Sequence, residues 1–414
     1  MKVALRTFGC RANQYDSAVV SSALRDAGVE LVDDALAADV AIYNSCTVTA
    51  AAEADLRAAV RRAARSNPRL RSIVFGCAAA VDRGALRELP TVTDVLPGAE
   101  PAELLSLLGL RWSGLTSAPA QTGVRALLRI QDGCDEHCTF CATTRARGVS
   151  RSRPPDELVS EARELAERHP EICLTGIHIG GYGRELGSSL GELLERVVRD
   201  VPDVRFRISS VEATEVDDRL RALLRETPGR VAPHLHAPLQ SGADSVLQRM
   251  GRHWYTAGSY ATAVERLVDG REVFGLGADV IAGFPGESES DHRATLDMIE
   301  TLPFTYLHVF PFSQRPGSPA ERLGPQHTPE TVRRRAAELR AAGERKAAAY
   351  RASRDGGAAD LIVVSGGERR QGVTEDYLST VPADPTIPRG VRLPVRLALE
   401  TDRLVAHTQQ PLFG

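Results

Sequence analysis

Six of the seven cysteines in this 414-residue chain fall into two groups of three, and thiols grouped in that way can hold metal. Cys134, Cys138 and Cys141 lie in Gln131-Asp132-Gly133-Cys134-Asp135-Glu136-His137-Cys138-Thr139-Phe140-Cys141, a C-x3-C-x2-C spacing on one short loop. Three thiolates so close together suit three irons of a four-iron cluster and leave the fourth iron open to a substrate. Zinc is the competing reading. His137 is the candidate fourth ligand, but it adjoins Cys138 and would strain a tetrahedral cage, and no second close cysteine pair is present. Cys10, Cys46 and Cys77 are far apart in sequence, yet each comes directly after an apolar run: Val3–Phe8, Val40–Asn44 and Ser72–Phe75. Gly9 and Gly76 precede two of them and would let backbone approach a cluster closely. The alternative is that these three are small buried residues at strand ends. Cys173 lies inside Glu171-Ile172-Cys173-Leu174, and core packing is expected for it.

Positioning these thiols requires a particular kind of scaffold. In residues 1–110, short apolar runs alternate with Ala-rich amphipathic stretches such as Ala50 to Ala64, which predicts a parallel sheet with covering helices. In such a sheet the strand C-termini share one edge, where ligands gather. After a linker over 112–119 a longer alternation runs from 124 to 325, with strands predicted at Ala126–Ile130, Ile172–Leu174, Val204–Ile208, Pro233–Ala237, Gly277–Ile281 and Thr305–Phe310. Six strand–helix units suggest a complete or partial barrel. Residues 328–354 predict a long helix with Thr328 as N-cap and Pro329 at its first position. From about 357 the chain becomes rich in Val, Thr and Leu with Gly and Pro turns, the pattern of a small β-barrel. The fold class is therefore multidomain α/β, divided as 1–118, 119–356 and 357–414.

Composition narrows the function less. A formal net charge of −3 does not mark a strongly basic nucleic-acid binder. No run approaches the roughly 20 apolar residues of a spanning helix, so no membrane association and a cytoplasmic location are expected. There the seven cysteines are not expected to form disulfides.

The central loop resembles the signature of the radical S-adenosylmethionine (SAM) family, with Phe140 at the aromatic position before the last cysteine. That resemblance implies reductive cleavage of SAM to a 5′-deoxyadenosyl radical. Thr7-Phe8-Gly9-Cys10-Arg11-Ala12-Asn13-Gln14, Asn44-Ser45-Cys46-Thr47-Val48-Thr49 and Phe75-Gly76-Cys77 resemble the motifs of the methylthiotransferases, radical SAM enzymes that replace C–H with C–S–CH3. The likeness runs from Lys2 to about Ala406. It implies an N-terminal α/β domain, a partial (β/α)6 radical SAM barrel and a C-terminal TRAM β-barrel for RNA. Leu174-Thr175-Gly176-Ile177-His178-Ile179-Gly180-Gly181-Tyr182-Gly183 and Leu307-His308-Val309-Phe310-Pro311-Phe312-Ser313 are most similar to the branch acting on N6-threonylcarbamoyladenosine in tRNA. Pro238-Leu239-Gln240-Ser241-Gly242 and Gly283-Phe284-Pro285-Gly286-Glu287 point the same way.

The implied cofactors are two 4Fe-4S clusters, on Cys134, Cys138 and Cys141 and on Cys10, Cys46 and Cys77, together with SAM. The implied partners are tRNA, an external electron donor and a sulfur donor. Thr175 and Gly176 stand where the superfamily holds the SAM amino group. Ser209, Ser210 and Glu212 are candidates for ribose hydroxyls, Gln240 for a further cofactor contact and Gly283 for adenine; each is otherwise a strand-end turn. Residues 328–355 carry eight Arg or Lys against four acidic residues and can be read either as a phosphate-tracking helix or as a solvated face. The tail from 357 holds six Arg and seven acidic residues, and its Tyr377 is a candidate for base stacking or for the core. Methylthiotransferases of isopentenyladenosine or of a ribosomal-protein aspartate are alternative readings, and a non-enzymatic iron–sulfur RNA-binding sensor is another.

Overall fold

The computed structural model describes every residue except 48, 49, 99, 113, 115, 116, 316 and 409–414, and the side chains at 50 and 368. Val48 and Thr49 of the Asn44–Thr49 motif and residues 113, 115 and 116 of the 112–119 linker therefore lie outside the described residues. Strands β1 (Lys2–Thr7), β2 (Glu30–Val32), β3 (Val40–Ser45), β4 (Arg71–Gly76) and β5 (Val92–Pro97) form an all-parallel sheet in the order β2-β1-β3-β4-β5. All six residues of β3 are buried, because the sheet is covered on both sides. Its two faces carry separate apolar cores, one built around Leu56, Val60 and Val74, the other around Val20, Leu24 and Ile73. Helices α1 (Arg11–Asp26), α2 (Ala50–Ser66), α3 (Cys77–Val81) and α4 (Pro101–Leu107) connect the strands. The chain reverses its direction of travel across the sheet between β1 and β3, and ligands bind outside the strand C-termini at such a switch point.

Six further strands form the second unit: β6 (Arg125–Arg129), β9 (Glu171–Thr175), β10 (Arg205–Ile208), β11 (His234–His236), β12 (Gly275–Ala282) and β13 (Tyr306–Pro311). They pair in parallel as β6-β9-β10 and β11-β12-β13. Single bridges at Phe206–Val231 and Ser210–His236 join the two sets into one curved, partial barrel. A short antiparallel ribbon of β7 (Gln131–Asp132) and β8 (Arg151–Ser152) closes the base of the cysteine loop, which contains α5 (Thr143–Arg147). Helix α6 (Pro155–Ala166) and later helices pack their apolar faces on the outside of the strands. Glu161 of α6 accepts a 3.0 Å hydrogen bond from Tyr15 of α1, which binds the first unit to the second.

The long helix runs over Pro329–Ser353, and the Thr328 side chain caps it by accepting from the Thr331 N–H. Five strands then close into a barrel in the order β14-β15-β16-β18-β17: β14 (Ala358–Ser365), β15 (Gln371–Val373), β16 (Ser379–Pro382), β17 (Arg392–Glu400) and β18 (Arg403–Thr408). Closure removes exposed sheet edges. On the long helix, Arg333, Arg334, Arg335, Arg345 and Arg354 are engaged in ion pairs within the fold. Of these pairs, those of Arg333, Arg334 and Arg345 are exposed, which fits the reading of a solvated face.

Candidate functional site

The three N-terminal thiols converge because β1, β3 and β4 are adjacent, so their C-terminal ends are neighbours. Cys10 is the N-cap of α1, Cys46 follows β3 directly, and Cys77 opens α3. Asn13, fully buried, organises them. Its Nδ2 donates at 2.9 Å to the Phe8 and Ser45 carbonyls, which ties together the loops after β1 and β3. Its Oδ1 lies 3.8 Å from the Cys10 sulfur and 3.6 Å from the Cys77 sulfur. Gly9 has φ +101°, and a Cβ there would stand 2.5 Å from the Cys46 sulfur, so the loop accepts only glycine. Burial pushes the Cys77 thiol up to about 11, opposed by the Arg147 guanidinium, whose Nε donates to its sulfur at 3.2 Å.

Arg147 belongs to the other triplet's loop. It also donates to Asn13 Oδ1 and Asp16 at 2.7 Å, and to Asp132 at 3.2 Å. One guanidinium therefore joins the two thiol groups. On the central loop, burial drives the Cys138 thiol up to about 12, against the pull of Arg252, whose Nη1 donates to the sulfur at 3.3 Å. Metal binding removes thiol protons, and a neighbouring cation favours the thiolate that results. The loop is turned by Gly133 at φ +73° and Gly251 lies against it, where a Cβ would come 3.0 Å from the His137 carbonyl. Nearby, His178 is held up at about 10: burial works against its charge, and hydrogen bonds to Cys134 and Glu215 outweigh it.

Between the N-terminal triplet and the barrel lies a cavity of about 560 Å3. Cys10 and Cys46 open onto it from one side, and Thr175, Gly176, Ser209 and Ser210 line it at the strand ends of the barrel. Gly176 approaches β7 so closely that a Cβ would sit 2.6 Å from the Gln131 carbonyl. Four predicted contacts stand elsewhere. Glu212 is buried and bound to Arg252 and Trp254. Gln240 adopts φ +63° and bridges to Val280 through backbone, while Gly283, at φ +73°, donates its N–H to Glu287 at 2.8 Å. Phe140 meets Phe284 edge-on at 6.2 Å.

The barrel interior is polar and layered, because alternate residues of each strand face it. In the lowest two layers Glu171, Arg205 and Arg207 have fully buried side chains; Arg205 Nε donates to Glu171 at 2.7 Å and Arg207 Nε at 2.9 Å. Cys173 is buried as expected. Its sulfur, however, does not sit in an apolar core: it accepts from Arg11 Nη1 at 3.1 Å. In the layer above, Asp279 accepts from His236 at 2.9 Å and from His308 at 3.2 Å. These two hydrogen bonds outweigh burial and hold the Asp279 carboxyl well below its ordinary range. Tyr377, from the turn between β15 and β16, enters the barrel from below. It accepts from Arg11 Nη2 at 3.0 Å and packs on His234 at 4.5 Å between ring centres. Arg11, Arg147, Arg252, His236, Asp279 and Tyr306 were not singled out from sequence as site residues. For His236 and Tyr306 the signal available was the alternation of polar residues along β11 and β13; Arg11, Arg147, Arg252 and Asp279 lie on other elements and carried no such signal.

Two family models match the chain: Uncharacterized protein family UPF0004 over residues 2–98 and Radical SAM superfamily over residues 128–299. The chain is 33% identical over 407 residues to the threonylcarbamoyladenosine tRNA methylthiotransferase MtaB of Bacillus subtilis (strain 168), covering 92% of this chain and 90% of that one. It is also 33% identical to the tRNA-2-methylthio-N(6)-dimethylallyladenosine synthase of Acidithiobacillus ferrooxidans (strain ATCC 53993 / BNL-5-31), over 80% of this chain and 78% of that one. The radical SAM methyltransferase TsrM from Kitasatospora setae shares the fold, with a TM-score of 0.59, 15% identity and 77% of each chain covered. The switch-point sheet, the cysteine loop at the mouth of a partial parallel barrel and the full-length relatives agree, and the chain belongs to the radical SAM tRNA methylthiotransferase family.

Proposed function

We propose that this chain inserts sulfur and a methyl group at C2 of N6-threonylcarbamoyladenosine beside the tRNA anticodon, giving the 2-methylthio nucleoside. The observation that carries the reading is the single cavity bordered by Cys10 and Cys46 on one side and by the barrel's Thr175, Gly176, Ser209 and Ser210 on the other. In this reading Cys134, Cys138 and Cys141 hold one 4Fe-4S cluster and leave an iron for SAM, and Cys10, Cys46 and Cys77 hold a second. The donor sets fit. Each has three thiols, a loop that only glycine can turn, and a guanidinium beside a buried sulfur. When bound, a reduced cluster with SAM supplies a one-electron route to an unactivated C–H bond, which acid–base side chains do not offer.

The chain's own contribution is position. Asn13 and Arg147 lock the first triplet to the loop of the second. Arg252 steadies Cys138 while Glu212 and Trp254 hold Arg252. Thr175 and Gly176 are assigned to the SAM amino group, and Ser209 and Ser210 to its ribose. The division 1–118, 119–356 and 357–414 assigns sulfur insertion to the first unit, SAM chemistry to the second and RNA binding to the third. An external electron donor, a sulfur donor and a second SAM that supplies the methyl group complete the reaction. The threonylcarbamoyl substrate is favoured over a prenylated one by the charged barrel interior, since a prenyl group offers nothing for guanidiniums to bind.

Mass spectrometry of tRNA nucleosides from a strain lacking this chain tests the reading. Loss of 2-methylthio-N6-threonylcarbamoyladenosine is expected. Its unchanged presence would refute the substrate, and loss of the methylthio-isopentenyl nucleoside instead would move the chain to the other branch.

A further inference from the structure

Arg11 lines the cavity, and sulfur insertion as described gives it no task. Its guanidinium donates to the Cys173 thiol at 3.1 Å and to the Tyr377 hydroxyl at 3.0 Å. Among the described residues its side chain pairs with no carboxylate, and its hydrogen-bond partners are a thiol and a phenol. Thiols and phenols are ordinarily uncharged at neutral pH, and burial pushes the Tyr306 phenol further up. The nearest carboxylates are already committed. Glu171 serves Arg205 and Arg207 from below, and Asp279 is turned toward His236 and His308.

A guanidinium in a cavity with only neutral partners is costly unless an anion joins it. The layering shows which anion fits. Thr175 and Gly176 stand at the strand ends, where the amino-acid part of SAM is assigned. Arg11 reaches instead to Cys173, two residues earlier on β9 and so one layer deeper. An N6-threonylcarbamoyl group carries a free carboxylate several bonds from the adenine ring, whereas an isopentenyl group carries no charge. A bidentate pair with Arg would fix both the identity and the orientation of such a group.

We propose that Arg11 is a specificity-determining residue that pairs with the carboxylate of the N6-threonylcarbamoyl side chain. The proposal rests on the substrate reading above. Tyr377 and Cys173 act as the acceptors that hold the guanidinium in place until the carboxylate arrives.

The test compares two anticodon stem-loops, one carrying N6-threonylcarbamoyladenosine and the other its carboxylate methyl ester. Methylthio-nucleoside formation is measured with the reconstituted wild-type enzyme and with Arg11→Gln. The ratio of acid to ester rates is the readout, so any general loss of activity cancels. Wild type should prefer the acid by roughly 30- to 4,000-fold, the range for removing one member of a buried charge pair. Arg11→Gln should bring the ratio close to one, and a ratio that stays at the wild-type value overturns the assignment. If wild type ignores the acid substrate and modifies isopentenyladenosine, the substrate reading itself has failed, which is a separate outcome. Where Arg11→Gln does not accumulate as folded protein, Arg11→Lys carries the test. A point charge without the planar fork should keep a preference about tenfold smaller than wild type, and an undiminished one overturns the assignment.

Discussion

Replacing Glu171 by Gln should weaken the floor of the barrel more than any surface change. Glu171, Arg205 and Arg207 have fully buried side chains, and the carboxylate accepts from Arg205 Nε at 2.7 Å and from Arg207 Nε and Nη2 at 2.9 and 3.0 Å. Breaking a buried pair by removing one partner costs roughly 3–5 kcal/mol. Two features place this case at the low end. Arg205 keeps Asp360 at 3.1 Å, and Arg207 keeps the Thr374 and Glu375 carbonyls. A cost of about 3 kcal/mol, with a urea dependence near 3 kcal/mol/M for a unit this large, lowers the unfolding midpoint by about 1 M. The pH dependence has a definite sign. The two guanidiniums outweigh burial and hold the Glu171 pKa well below the ordinary carboxylate range. Its stabilisation is therefore complete above an unfolded value of about 4.3 and fades as pH falls from there toward the depressed folded value. The gap between wild type and Glu171→Gln should be constant from neutral pH down to about 5 and close below about 4. Urea titrations followed by tryptophan fluorescence at several pH values measure it. A midpoint within about 0.2 M of wild type at neutral pH would refute the argument, because it would mean the arginines are satisfied without the carboxylate.

Two further perturbations address the thiol groups. Wild type reconstituted without oxygen should hold about eight irons, and Cys134→Ala with Cys138→Ala and Cys141→Ala about four; unchanged iron, or zinc in its place, contradicts two clusters. Gly9→Ala puts a methyl group 2.5 Å from the Cys46 sulfur at φ +101°, so it too should drop iron to about half while SAM cleavage to 5′-deoxyadenosine continues, and full iron content would argue against a cluster at that triplet.

The local elements were readable from sequence wherever burial was two-sided. The six predicted barrel strands correspond to observed strands, with ends differing by one or two residues. β3 stands out because a central strand is apolar on both faces. β2, three residues long at the sheet edge with none buried, carries no such signal and was not anticipated. The two triplets were readable as groups, but what holds them was not. Arg147 reaches Asn13 across 134 positions in sequence, and Arg252 reaches Cys138 across 114. Such pairings depend on how the sheet and the barrel dock, which local pattern does not encode. The polar lining of the barrel interior was not legible either. Arg205-Phe206-Arg207-Ile208 alternates polar and apolar residues, yet all four are buried, because the polar face meets Glu171 and the C-terminal turn rather than water.

The hydrogen bond between Arg11 and Tyr377 spans 366 positions of sequence. The site therefore draws on both the N-terminal sheet unit and the C-terminal barrel. Its N-terminal sheet can form early in synthesis, since domains generally fold as units from the N-terminus. The floor under Arg11 cannot exist until translation has passed residue 377. A nascent chain shorter than that carries its thiols and an unsupported guanidinium. The cavity that Arg11 lines is thus completed only when the C-terminal barrel has been made, so its floor is a property of three units together and of none of them alone.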